Sequence, residues 1–300
     1  MRTAHWTAIR CSRPLPARRR WWWKCRSVRT EPRILVPALR LLLCSLPLLL
    51  AACATSPAQA PAAKRPVNPD ALWGLIQRDC VGAGTPRGDC LAVAAEPGRR
   101  DVLLKDAHGR FQFLLLPLDR ISGIESPALL RADAPNYFAA AWEARWRTGR
   151  ALGRPLPREV ASLALNSPQG RSQHQLHIHV DCLRADVLAQ LQRMGGAIGS
   201  QWQPLPEPLR GHRYQARRLR GAQLQDNPVQ LLATELAGAA DLRNWSLVVS
   251  GSRQPDGTPG FLLLATRVDA ASGNQASGEE LQDHACAVVT GAGGPLDGVR

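Results

Sequence analysis

The chain has 300 residues and a formal charge of +14, enough length for one large domain or two small ones. Residues 1–53 hold 11 of the 38 basic side chains and 1 of the 24 acidic ones, which leaves +4 on the remainder. The basicity therefore belongs to a leader and does not describe a nucleic-acid groove, and no sustained heptad pattern supports a coiled coil.

Residues 1–33 are rich in Arg, Trp and Pro and lack apolar periodicity. They read as an overextended start or as an extension without a fold. From Ile34 the composition changes, and Leu41–Leu50 is an apolar run interrupted by Pro47. It is too short for an ordinary transmembrane helix and reads as the core of a signal peptide. The run ends Leu50-Ala51-Ala52-Cys53, which resembles a bacterial lipobox with Cys53 as the lipidation site. An ordinary cleavage near Ala52 or Ala54, or an uncleaved anchor, are the other readings. All three place the mature chain on the extracytoplasmic, periplasmic side of a bacterial membrane. Residues 54–70 form a Pro/Ala tether. Residues 71–290 form the folded domain, divisible into halves at 71–195 and 196–290, and residues 291–300 form a Gly-rich tail.

Within the domain, Ala71–Asp79 has helical apolar spacing. Asp101–Leu104 and Phe111–Leu116 flank a turn at His108-Gly109 and predict a hairpin. Asn136–Arg150 is an amphipathic helix, and Val160–Leu165 an apolar strand. Asn166-Ser167-Pro168-Gln169-Gly170 then turns the chain back into a second strand that carries His177 and His179, and Arg184–Gly195 is helical. The second half repeats this content more faintly. His212–Leu219 reads as a strand, Val229–Leu236 as a helix, Ser246–Val249 and Gly260–Thr266 as a hairpin, and Gly278–Ala287 as a terminal helix. The sum is an α+β fold with an antiparallel sheet and helices, and the two similar halves suggest a duplication.

Four cysteines remain in the domain: Cys80, Cys90, Cys182 and Cys286. An even number in an exported chain predicts disulfides, with free buried thiols as the alternative. Cys80 and Cys90 enclose a run of turn residues and pair locally in this reading. Cys182 then pairs with Cys286.

His177 and His179 are two apart on a predicted strand, so both imidazoles share one face. That spacing serves a metal, nucleophilic chemistry, or simply a solvated strand face. The surrounding segments narrow the choice. Leu163-Ala164-Leu165-Asn166-Ser167-Pro168-Gln169-Gly170-Arg171-Ser172-Gln173 precedes His177-Ile178-His179. Arg120-Ile121-Ser122-Gly123-Ile124-Glu125-Ser126-Pro127 lies upstream. Leu209 to Arg218 and Leu281-Gln282-Asp283-His284-Ala285-Cys286 lie downstream. Together these resemble the bacterial CDP-diacylglycerol pyrophosphatases, within the histidine-triad superfamily, over roughly Leu72 to Val289.

The family pattern has three histidines at alternate positions, and here Gln175 stands at the first, with His174 displaced by one. Either Gln175 substitutes and His177 is central, or the register shifts to His177, His179 and Asp181 and His179 is central. The first is favoured. The resemblance then implies attack by His177 on the CMP-side phosphorus of CDP-diacylglycerol, release of phosphatidate, and hydrolysis of a nucleotidyl-histidine to CMP. His179 would orient the phosphate. Asn166, Gln173 and Gln175 are candidate phosphate-holding amides, Arg210, Arg217 and Arg218 candidate charge clamps, and His212 a candidate acid. For the arginines, a solvated charged strand is the competing reading. Asp283 and His284 read as structural beside Cys286. The implied partners are CDP-diacylglycerol and the lipid bilayer, with no cofactor, no metal and no nucleic acid. Two other readings stay open. One is a metal-dependent hydrolase of nucleotide diphosphate esters, with His212 or Asp181 as a third ligand beside the two histidines. The other is a lipoprotein that binds nucleotide or phospholipid without turnover.

Overall fold

Apolar runs such as Phe113–Pro117 and Ala161–Leu165 build the central strands of the domain, and the computed structural model describes residues 68–291. The leader, the lipobox at Cys53, most of the tether and the tail lie outside the described residues. A short helix α1 (Ala71–Leu75) continues into a wider π-type turn through Val81, which matches the expected helix in place and extends it. Strands β1 (Cys90–Glu96), β2 (Arg99–Lys105) and β3 (Phe113–Pro117) follow as an antiparallel meander. The expected hairpin is β2–β3. Strand β1 was not expected: its residues Leu91-Ala92-Val93-Ala94-Ala95 are small and weakly alternating.

The helix expected over Asn136–Arg150 is two pieces, α2 (Tyr137–Ala144) and α3 (Trp146–Leu152), broken at Arg145. Asn136 caps α2 by accepting from the Ala139 amide at 3.1 Å, satisfying one of the unpaired first-turn donors. Strands β4 (Ala161–Leu165) and β5 (Ile178–Cys182) are the apolar and histidine strands, and α4 (Ala185–Met194) follows. The second half supplies β6 (Gln203–Pro204), β7 (Gln215–Arg220), α5 (Pro228–Leu232), β8 (Trp245–Arg253) and β9 (Pro259–Arg267).

The terminal helix expected at Gly278–Ala287 does not form. Gly278–Leu281 is a single 3-10 turn, and the chain then extends to Cys286 before α6 (Ala287–Thr290). Tertiary bonds override local propensity here. Gln282 donates through Nε2 to the Ser162 and His179 carbonyls at 3.1 and 3.2 Å, and the Cys182–Cys286 disulfide holds the end. Both disulfides, Cys80–Cys90 and Cys182–Cys286, are present.

All strands join one antiparallel sheet in the order β1-β2-β3-β5-β4-β8-β9-β7-β6. One face packs on α2 and α5 through Ile178, Val180, Leu163, Val249 and Leu263. The register fixes a row across the opposite face: Leu104, Leu114, His179, Ala164, Val248, Leu264 and Ala216. Leu104 and Leu114 belong to an apolar cluster with the Cys80–Cys90 region and α1. Ala164, Val248, Leu264 and Ala216 belong to another with α4 and α6. His179 thus lies on the seam between two apolar layers that cover the same sheet face. Among the described residues, no helix is long and apolar enough to cross a membrane.

Candidate active site

Period-two alternation along β5 places His179 and Asp181 on the seam face while Ile178 and Val180 enter the core, and His177, just before the strand, lies against His179. The two imidazoles meet edge to face with ring centroids 4.9 Å apart. His177 Nδ1 lies 2.7 Å from the backbone carbonyl of Gln175. A carbonyl only accepts, so Nδ1 carries the proton and the lone pair of the neutral ring is on Nε2. Burial, then the neighbouring His179, lower the His177 pKa to about 4, so the ring is neutral at ordinary pH.

His179 has a different environment. The Gln112 amide nitrogen sits 2.8 Å from His179 Nδ1 and 3.2 Å from Glu279 Oε1, and donates one hydrogen to each. With Gln112 Nε2 as the donor, Nδ1 accepts and the ring proton is on Nε2; Glu279 Oε1 also lies 3.2 Å from Nδ1. Burial, followed by the charge of His284, lowers this pKa to about 3. His179 Nε2 is buried and has no hydrogen-bond partner among the described residues. It is a neutral N–H donor without an acceptor.

Glu279 reaches this position from the far end of the chain because of two small residues. A Cβ on Gly278 would come within 2.6 Å of the Val248 side chain, so only glycine lets the turn settle onto β8 beside Ala164. Asn166 then fixes the turn. Its Oδ1 accepts from the Glu279 amide at 3.2 Å and its Nδ2 donates to Glu279 Oε2 at 3.2 Å. Beyond Glu279 stands His284, whose Nδ1 donates to buried Asp181 Oδ2 at 2.6 Å and whose Nε2 is 3.5 Å from Glu279 Oε1. The Asp181 bond raises the His284 pKa. Burial pushes Asp181 the other way, toward neutrality, and the bond from His284 pulls it back.

The structure sorts the expected site residues by place. His177 and His179 share the seam, and Asn166 borders it as the brace of Glu279. Gln175 is fully buried, and its side chain donates to the Pro117 and Asp119 carbonyls at 3.2 and 2.9 Å. Its backbone, not its amide, orients His177. Gln173 accepts from the Leu72 amide and donates to the Asn68 carbonyl, tying down the start of α1. Arg210 pairs with Asp186 on the surface. His212 and Tyr214 share Glu280 in a separate cluster. Arg217 and Arg218 lie on β7, four strands from β5, roughly 19 Å at ordinary strand spacing. Arg217 projects from the other face and pairs with Glu235, while Arg218 donates to the carbonyls of Gly195, Ile198 and Arg253.

Gln112, Glu279 and His284 are the members that sequence reasoning missed or read as structural. As for metal donors, the cluster found among the described residues is Asp181, Cys182 and Cys286, and both sulfurs are in the disulfide. The seam therefore offers a neutral imidazole with a free lone pair, an adjacent N–H donor and a carboxylate–histidine pair behind it. That combination suits nucleophilic attack on a phosphoryl centre.

Residues 67–290 match the CDP-diacylglycerol pyrophosphatase family. The chain belongs to that family. A similar protein is the CDP-diacylglycerol pyrophosphatase of Yersinia pestis, 42% identical over 227 residues, which cover 74% of this chain and 86% of that one. As a member of the CDP-diacylglycerol pyrophosphatase family the chain is a hydrolase, and its family match includes both histidines and all four domain cysteines.

Proposed function

We propose that the protein hydrolyses the diphosphate bond of CDP-diacylglycerol to CMP and phosphatidate, with His177 as nucleophile. His177 Nε2 attacks the nucleotide-side phosphorus, and the bond to the bridging oxygen breaks as phosphatidate leaves. Water then displaces the imidazole from phosphorus, releasing CMP and restoring neutral His177. Family membership supports the substrate. The observation that carries the mechanism is the His177 Nδ1 bond to the Gln175 carbonyl, which leaves Nε2 as the lone-pair atom. His179 Nε2–H supports the reading as a donor to a phosphoryl oxygen, since neutral donors held in place cost no reorganisation when charge develops. The histidine-triad relationship belongs to the same proposal, with Gln175 in the first position. The placement of β1–β5 on one side of the β4–β8 pair and β6–β9 on the other supports the duplication.

The test is CMP and phosphatidate release, one to one, by the full chain with CDP-diacylglycerol in detergent micelles. A His177 pKa depressed to about 4 keeps the nucleophile neutral above that value. The acid limb of kcat/KM is therefore expected near pH 4, not near the ordinary histidine value of about 6.5. Absence of CMP release sinks the substrate reading, and undiminished CMP release by His177→Ala sinks the assigned nucleophile.

The site of action proposed is the extracytoplasmic membrane face, reached by a lipid on Cys53. The Leu50-Ala51-Ala52-Cys53 pattern supports this, as do two disulfides, which persist in oxidising compartments. Tethering would hold the domain at the surface that carries its substrate. Mass spectrometry of the membrane-extracted protein is expected to show an acylated N-terminal Cys53, and Cys53→Ser to release the chain from membranes. An unmodified Cys53 inside a continuous leader peptide rules the anchor out.

A further inference from the structure

Arg171 lies just before the histidine strand and is 6% exposed. Its two terminal nitrogens donate to the two oxygens of Glu125, each at 2.8 Å, and Glu125 also accepts from the Ser122 hydroxyl at 2.7 Å. Burial works to raise the Glu125 pKa, but the bonds from Arg171 and Ser122 outweigh it and bring it down to about 2. The guanidinium lies flat on Gly123, where any Cβ would overlap it. This loop runs beside the catalytic strand, because the Leu176 amide donates to the Ile121 carbonyl at 2.6 Å. The positive charge is close enough to His177 to oppose its protonation.

One donor in this arrangement is left over. Arg171 Nε is buried and unpartnered among the described residues, as is His179 Nε2. Buried N–H groups are nearly always paired, so a vacant one next to reactive side chains points to an acceptor that arrives with a ligand. His179 lies against His177, with ring centroids 4.9 Å apart, and Arg171 is held over Gly123 in the loop whose Ile121 carbonyl bonds the Leu176 amide, one residue before His177. The ligand that answers two such N–H donors is a phosphoryl group with two non-bridging oxygens.

We propose that Arg171 is the anion-binding arm of the site, its Nε–H and His179 Nε2–H holding phosphoryl oxygens of the diphosphate while Glu125 and Gly123 fix the guanidinium. The inference rests on the histidine chemistry proposed above and adds to it a second N–H donor for the attacked phosphate.

A purely structural Arg171–Glu125 bolt is the rival account, and one double variant separates the two. Arg171→Gln combined with Glu125→Gln removes both charges and leaves amides that can pair with each other. If Arg171 binds phosphate, the double variant keeps its cooperative melt but loses about 100-fold or more in kcat/KM, and the inhibition constant of CMP rises at least about tenfold. Arg171→Lys, which keeps the charge but not the fork, is expected to stay impaired by about tenfold. Gly123→Ala, which displaces the guanidinium without touching a charge, is expected to weaken CMP binding as well. Wild-type kcat/KM and CMP affinity in the double variant overturn the proposal. CMP binding to the full chain, measured by calorimetry, reads Arg171 even if CDP-diacylglycerol is not turned over. Failure of the substrate reading and failure of this inference are therefore distinguishable.

Discussion

Replacing His177 with alanine is expected to reduce CMP release by about 10⁴-fold or more, leaving the fold intact. The size follows from the tautomers. Of the two seam imidazoles, only His177 presents a lone pair, because its Nδ1 proton is committed to the Gln175 carbonyl. His179 spends its lone pair on the Gln112 amide and presents N–H instead. It cannot replace the lost nucleophile without reversing that network. His179→Ala removes one donor to the transition state and is expected to cost less, about 10²–10³-fold, the usual effect of deleting an oxyanion donor. Quenching wild type at alkaline pH during turnover should trap a cytidylyl group on a histidine peptide. The assignment predicts it on His177. An adduct on His179, with His177→Ala still active, would reverse the two roles and vindicate the shifted register.

The second large effect concerns stability. Cys182 and Cys286 are 104 residues apart in sequence, and Cys80 and Cys90 only 10. On the chain-entropy account the long loop is worth about 4.7 kcal/mol and the short one just under about 3 kcal/mol. Cys182→Ala with Cys286→Ala is expected to lower Tm by roughly 10–15 °C for a domain of this size. Cys80→Ala with Cys90→Ala should cost distinctly less. The long bridge also carries a functional penalty that the short one does not. It joins the residue after Asp181 to the segment that bears His284, so its loss loosens the Asp181–His284 pair behind Glu279. Thermal melts and CMP release, each measured for both double variants, check this. Equal losses in the two variants would contradict it.

The parts legible in the sequence were those written in local pattern. The alternation around Leu176, Ile178 and Val180 gave the strand and the face of His177 and His179, and the turn residues between Cys80 and Cys90 gave a local disulfide. Glu279 and Gln112 were illegible for a physical reason. They reach His179 across 100 and 67 residues of sequence, placed by strand order and by a glycine that lets a turn lie on the sheet. No local signal encodes such a meeting. The arginines of β7 lie far from the histidines for a related reason. Arg217 and Arg218 sit in a basic run, but charge in a sequence carries no address, and the register sends one to each face of a strand far from β5. Gln175 was read for its side chain, where its peptide carbonyl carries the orientation. A backbone contribution is independent of the side chain that bears it, so glutamine at this position orients His177 as well as another residue would.

The place of β5 in the sheet has one more consequence. It is bonded along both edges, to β3 and to β4, and four strands lie beyond β4. A strand so enclosed cannot tilt, slide or open on its own, so His179 is fixed in the sheet, and His177, one residue before β5, is held beside it by its bond to the Gln175 carbonyl. On the proposed mechanism the diphosphate is then the moving party, and a change of substrate falls to the loops around the seam while the two histidines stay in place.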